Sequence, residues 1–238
     1  MDLKIKDVAE LLNVSETTIR RWLMDGKIPA YRLNHQYRFS RIEIENWMMK
    51  CKLKSLDADF LSFSEKSSDA EDPAAPGMGM QQFSLYRAVH HGGIYSDIEG
   101  TTKEEIIKET MLRIAPKLSL DAEVLAELLI DREKLMPTAL NSGIAVPHAR
   151  DFVEDLPFDF VTIVFPKNPI EYGALDGEPV HTLFFLFATG DKIHLHLLAK
   201  LAHLSSNPKA LEFLQNKPDK TNLLEYIRIW EDFLRKSD

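Results

Sequence analysis

His148, in the run Ala-Val-Pro-His-Ala-Arg, has the surroundings of a reactive side chain. Pro147 lacks a backbone donor and has a fixed φ, so the apolar run before it must end there as a strand and present the next side chain at an exposed edge. Imidazole is neutral near neutral pH, which leaves one ring nitrogen able to attack phosphorus. The charge of a transferred phosphoryl group calls for a cation, and Arg132, at the end of an apolar helical run, is the natural candidate. Cys51 is the only cysteine, so neither an intrachain disulfide nor a cysteine-based metal site is expected. His90-His91 and the pair His194-x-His196 come with no third ligand at a defined spacing, so no metal is expected there. His181 precedes an apolar run and reads as a hydrogen-bonded structural residue.

The elements around His148 follow from periodicity. Thr102 and Glu105 can box the start of a helix whose buried stripe is Ile106, Ile107, Met111 and Ile114. Asp121 can cap the next helix, with Val124, Leu125, Leu128 and Leu129 expected inside and Arg132-Glu133 at its end. Residues 160–165 (FVTIVF) and 180–188 (VHTLFFLFA) read as buried strands. Helices are expected over about 193–204 and 222–234. Helices and strands alternating irregularly predict an α/β (α+β) fold, a three-layer α/β/α sandwich around a mixed sheet.

The chain has 238 residues and no apolar run near the ~20 needed to span a membrane. The start, MDLKIKDVAE, lacks the apolar core of a signal peptide, so a cytoplasmic location is expected. Residues 1–54 hold eleven Lys/Arg against seven Asp/Glu, whereas the remainder holds 18 against 30. That asymmetry suggests modules with different partners. Residues 55–82 are rich in Ser, Asp, Pro and Gly, keep no apolar period and read as a linker, most clearly from Ser64 on. Residues 1–54 and 83–238 are then the two modules.

In the first module, Val8, Leu11 and Leu12 mark a helix, and Ser15 can cap a second one carrying Ile19, Trp22 and Leu23 inside. Gly26 suits the turn that ends it, and Pro29 prevents continuation. Residues 31–33 and 37–39 alternate as a hairpin, and Ser40 with Glu43 can cap a final helix through Ile44, Trp47 and Met48. Thr17, Thr18, Arg20 and Arg21 line the polar face of the second helix, a face suited to the major groove, and Arg32 and Arg38 make a basic wing. This order of elements over the first fifty or so residues resembles the excisionase-like, MerR-type winged helix-turn-helix family, which implies DNA binding. Asn34-His35 departs from the family, which often has Gly at the wing tip. A single winged helix ordinarily needs a partner copy for adequate DNA affinity, so a homodimer is the expected state.

From Phe83 onward, REKLMPTALNSGIAVPHA, then PIEYGALDGEPVHTLFFLFA and HLHLLAKLAHL, resemble in order the phosphotransferase-system IIA domains of the fructose–mannitol type, which include the nitrogen-regulatory IIA proteins. The resemblance implies that His148 is phosphorylated by an HPr-like carrier, that Arg132 is the active-site arginine, and that His194 is a second active-site histidine. Phosphoryl then passes between histidines, with neither ATP nor a metal cofactor required. His196 lies about 200° round a helix from His194, so only one of them can face the site. His196 and His203 share another face. Met136, Pro137 and Asn141 depart from the family pattern.

A sugar-transport IIA would hand its phosphoryl group to a IIB protein, but a DNA-reading module points to a regulator: a histidine phosphotransfer protein rather than a turnover enzyme. The alternative is a IIA phosphocarrier of a fructose/mannitol-type uptake system.

Overall fold

The computed structural model describes residues 2–12, 14–33, 36–44, 47, 84–118, 120–149, 156 and 158–237. They fall into two compact units, one within residues 1–79 and one within 80–237. The linker segment, Cys51, Met48 and the wing tip Asn34-His35 lie outside the described residues.

In the first unit, α1 (Ile5–Leu12) and α2 (Glu16–Met24) are separated by a short break. The Ser15 hydroxyl accepts the Thr18 N–H at 3.1 Å, satisfying one of the amide donors that a helix start leaves over. Gly26 takes φ +64 and turns the chain back toward β2 (Tyr31–Leu33). β2 pairs antiparallel with β3 (Gln36–Ser40), Arg32 opposite Tyr37. A further strand, β1 (Asp2–Leu3), joins the other edge of β3 with Leu3 opposite Phe39. Two residues carry no readable period, so this strand is absent from the sequence expectation. Val8, Ile19, Phe39 and Ile44 form a buried centre. The Trp47 indole N–H donates to the Lys27 carbonyl at 2.5 Å and its ring lies 5.8 Å from that of Trp22, which ties Trp47 to α2 and the turn after it.

The second unit runs α3 (Leu85–Gly92), β4 (Ile94–Ile98), α4 (Lys103–Leu118), α5 (Ala122–Leu135), β5 (Ile144–Ala145), β6 (Phe160–Pro166), β7 (Thr182–Phe187), α6 (Asp191–Ser205), α7 (Pro208–Gln215) and α8 (Lys220–Ser237). The sheet order is β4-β6-β7-β5. β4 runs parallel to β6, β6 antiparallel to β7, and β5 parallel to β7. Leu183, Phe185 and Phe187 of β7 share one core with Ile107, Met111 and Ile114 of α4 and Leu125 and Leu129 of α5. α3 packs on β6, α6 on β7, and α8 on α3, making the other helical layer. The fold is therefore the expected α/β/α arrangement around a mixed sheet. Two residues expected inside are not: Val124 and Leu128 of α5 are exposed, because the buried face of that helix is narrower than its apolar composition. The box expected at Thr102 closes differently as well. Thr102 accepts the Glu105 N–H at 3.2 Å, but the Glu105 carboxylate reaches back to the Thr101 N–H at 2.7 Å.

Two contacts set the packing of α3. A Cβ on Gly92 would lie 2.3 Å from the Val161 carbonyl oxygen, so only glycine lets the helix end approach β6. At the other end, buried Glu231 of α8 accepts the Ser84 hydroxyl at 2.7 Å and the Leu85 and Tyr86 N–H groups at 2.7 and 3.2 Å. A carboxylate from the last helix thus caps the first helix of this unit, and Lys200 of α6 meets the same carboxylate at 2.7 Å.

Candidate functional site

The last turn of α5 carries the pair Arg132-Glu133, and both side chains are buried. Arg132 Nη1 donates to the Met136 carbonyl at 2.9 Å. The chain then forms a narrow hairpin. Val146 N–H donates to the Thr138 carbonyl at 3.0 Å and Leu140 N–H to the Ile144 carbonyl at 2.7 Å. The tip, Asn141-Ser142-Gly143, needs two successive left-handed residues, Ser142 at φ +64 and Gly143 at φ +74. The Asp176 carboxylate takes the Ser142 N–H at 2.7 Å, and a Cβ on Gly143 would lie 2.4 Å from His181 Cδ2. Asn141, a departure from the expected pattern, is accommodated because the left-handed positions fall on its two successors.

The outgoing arm carries His148. It pairs in parallel with Leu186 of β7, and the Leu186 N–H donates to the Pro147 carbonyl at 2.9 Å. The arm thus continues along β7 past a residue that has no N–H to give. His148 Nδ1 lies 2.8 Å from the Val146 carbonyl. A carbonyl only accepts, so Nδ1 carries the proton and the lone pair of the neutral ring resides on Nε2. The expected exposed edge is not what the fold builds: His148 is 1% exposed. Its strand is covered by β7 on one side, and His194 lies against the ring. The two ring centroids are 5.1 Å apart, edge to face at 65°. His194 sits in the first turn of α6, its N–H on the Gly190 carbonyl at 3.0 Å, where the helix directs its positive end. The approach to that turn is fixed by Asp159, whose carboxylate takes the Thr189 N–H at 2.7 Å and hydroxyl at 2.9 Å. The fold therefore brings His148 and His194 together. It ties Arg132 to the turn that is hydrogen-bonded to the His148 strand.

The family model described as phosphoenolpyruvate-dependent sugar phosphotransferase system, EIIA 2, matches residues 89–229. The chain belongs to this EIIA family. A helix-turn-helix domain model matches residues 3–52. A nitrogen regulatory protein of Pseudomonas aeruginosa is 28% identical over 134 residues, 55% of this chain and 86% of that protein. The crystal structure of nitrogen regulatory protein IIA-Ntr from Neisseria meningitidis superposes with a TM-score of 0.52 at 27% identity, covering 56% of this chain and 92% of that one. The N-terminal unit is similar to the transcriptional repressor DcmR of Methylorubrum extorquens, 50% identical over 44 residues, which are 18% of this chain and 17% of that protein.

His203 packs on Trp230 with ring centroids 5.5 Å apart, on the α6 face turned toward α8. His196 is half-buried. His90 and His91 are exposed at the end of α3. His181 Nδ1 lies 2.8 Å from the Thr182 hydroxyl, and burial lowers its pKa despite a hydrogen bond with the Ser142 backbone. Among the described residues, no three metal-ligating side chains gather. No described helix is long and apolar enough to cross a membrane.

In the helix-turn-helix unit, Thr17, Arg20 and Arg21 are exposed on α2, whereas the Thr18 hydroxyl shares the Ser15 cap at 3.0 Å. Arg20 pairs with Glu16 at 3.5 Å, an exposed contact that a phosphate can displace. Arg32 lies 5.0 Å over the Tyr37 ring, and Arg38 folds back on Gln36 Oε1 at 2.9 Å. The basic wing is thus partly occupied by its own strand. Sequence reasoning missed the backbone groups of Thr138 and Val146, which connect the site.

Proposed function

We propose that the EIIA unit accepts a phosphoryl group on His148 from an HPr-type phosphocarrier protein, and that the chain is a regulator whose helix-turn-helix unit binds DNA according to that phosphorylation. The observation that carries the reading is a buried imidazole whose Nδ1 is held by a carbonyl and whose ring meets His194 at 5.1 Å. In the step, the Nε2 lone pair of His148 forms a new N–P bond. The donor's N–P bond breaks, and its electron pair returns to the donor imidazole. Arg132, His194 and the first turn of α6 stabilise the negative oxygens in transit. The similarities to a nitrogen regulatory protein and to a transcriptional repressor support a regulatory output, with Thr17, Thr18, Arg20, Arg21, Arg32 and Arg38 facing DNA. A IIB protein is the acceptor to expect if the group is passed on, and two copies of the chain are expected on an operator.

Replacing Arg132 with alanine is expected to slow phosphorylation by about 10²–10³-fold, the usual cost of removing one charge-stabilising donor. Lysine at the same position is not expected to restore the rate, since it cannot reproduce the planar fork. Quench-flow measurement of phosphate transfer from the labelled carrier reads both.

The whole reading is tested with the full chain, a duplex selected from random sequence, and the HPr-type carrier with its kinase and phosphoenolpyruvate. A one-phosphoryl gain in intact mass with a change in DNA affinity is expected. An unchanged mass refutes the acceptor role. A gain in mass with unaltered DNA affinity leaves a phosphocarrier and refutes the regulator.

A further inference from the structure

Next to Arg132, Glu133 is a second buried charge, 2% exposed. Burying a carboxylate is costly unless its oxygens are hydrogen-bonded. Here Oε2 accepts the Thr138 N–H at 3.0 Å, and Oε1 accepts the Thr138 hydroxyl. Pro137 has no N–H, so Thr138 supplies the first backbone donor beyond Met136. Both carboxylate oxygens therefore grip one residue at the base of the hairpin.

From Thr138 the connection continues in both directions. Backward, the turn it closes contains the Met136 carbonyl, which takes Arg132 Nη1 at 2.9 Å. Forward, the Thr138 carbonyl takes the Val146 N–H at 3.0 Å, and the Val146 carbonyl holds His148 Nδ1 at 2.8 Å. Tyr172, 1% exposed, lies within electrostatic reach of Glu133. Burial first, and the charge of Glu133 second, push its phenol well above its ordinary value, so it stays protonated beside the carboxylate.

We infer that Glu133 is a positioning residue for phosphoryl transfer: by gripping Thr138 it seats the Arg132 guanidinium through the Met136 carbonyl and holds His148 in the Nδ1–H tautomer through Val146. This rests on His148 being the phosphoryl acceptor. Glu133 touches neither the donor nor the phosphoryl group. Its effect is geometric, since a carbonyl displaced from Nδ1 lets the proton sit on either nitrogen, and an Nε2 that carries it cannot attack.

The test uses the full chain with E133A, E133Q and T138V. One readout is the rate constant of phosphoryl transfer at saturating phosphorylated carrier. The other is the long-range ¹H–¹⁵N spectrum of the His148 ring in the unphosphorylated protein, which reports its tautomer. For E133A the rate constant should fall about tenfold to a hundredfold, the cost of a small misplacement of reacting groups. The half-saturating carrier concentration should hold, and the ring should become a mixture of tautomers. E133Q keeps an acceptor oxygen for the Thr138 N–H and should recover most of the rate. T138V keeps the amide but loses the hydroxyl and should fall between them. If E133A does not fold, the T138V ring spectrum and rate decide.

Wild-type rates and ring spectra in E133A or T138V would overturn the inference. So would an E133Q protein as slow as E133A with its ring unchanged. If the wild-type protein takes no phosphoryl group, the acceptor reading fails, while the ring spectra still judge whether Glu133 controls the tautomer.

Discussion

Alanine in place of His148 is expected to abolish phosphorylation of the chain, with intact mass unchanged after prolonged incubation with the phosphorylated carrier. The substitution deletes the nucleophile. Nothing nearby can take over cleanly: His194 belongs to α6, with its ring centroid 5.1 Å from that of His148, and lacks the Val146 carbonyl that fixes the His148 lone pair on Nε2. The same substitution should leave DNA affinity where the unphosphorylated wild type has it, and unresponsive to the carrier. His194→Ala should still gain the phosphoryl group, but more slowly. If the His148→Ala protein gains it and the His194→Ala protein does not, the assignment of the two rings is reversed. Circular dichroism of both variants separates loss of chemistry from loss of fold, because His148 is buried and its ring nitrogen anchors a backbone carbonyl.

The largest effect on stability is expected at Glu231. Replacing it with alanine removes the carboxylate that Lys200, the Ser84 hydroxyl and the Leu85 N–H share. Breaking one side of a fully buried ion pair costs about 3–5 kcal/mol, and with the Lys200 side chain 26% exposed the loss here falls at the lower end, about 3 kcal/mol, which for a unit of this size lowers the melting temperature by roughly 10 °C. Glutamine should cost less, since it keeps an acceptor oxygen for the helix start. The pH dependence carries a sign. Burial alone would raise the Glu231 pKa, but the Lys200 ammonium, the Ser84 hydroxyl and the Leu85 amide outweigh it and hold the carboxyl below its ordinary value. Its contribution is therefore complete above the ordinary carboxylate range and is lost as pH falls through the lowered folded value. Thermal melts should show the acid limb of stability flattened in Glu231→Gln. An unchanged limb would mean that other carboxylates govern acid unfolding.

Much of this architecture is legible in the residues, because local signals agree with the global fold. Ser15 and Asp121 accept the amides their positions predict. The apolar runs at 160–166 and 182–187 are central strands, buried on both faces. The spacing of His194, His196 and His203 separates the ring that meets His148 from the one that meets Trp230. Other features depend on partners far along the chain. α3 has eight residues, and β4 reads Ile-Tyr-Ser-Asp-Ile with its middle exposed, so neither shows a period long enough to recognise. Both are held by tertiary contacts, from Glu231 and from β6. The burial of His148 was illegible for a similar reason. A Pro-His step reads as a loop until β7 supplies the bond to the Pro147 carbonyl and α6 lays His194 on the ring. The role of Val146 lies in its peptide group, which every residue type shares, and Thr138 adds a hydroxyl whose partner Glu133 is not marked by any local period.

The bond between Ser84 and Glu231 spans 147 residues. A nascent chain emerges from the ribosome in order, so α3 appears well before the carboxylate that caps it. The contacts that build the helix-turn-helix unit, by contrast, come from residues close in sequence, such as Trp47 and Lys27, 20 apart. During synthesis the first unit can therefore assemble while translation proceeds, whereas the EIIA unit cannot make this cap until residue 231 has left the exit tunnel. Slow translation gives the waiting helices longer exposure to chaperones, and a premature stop within α8 would release a DNA-binding unit joined to an unfinished phosphoryl acceptor.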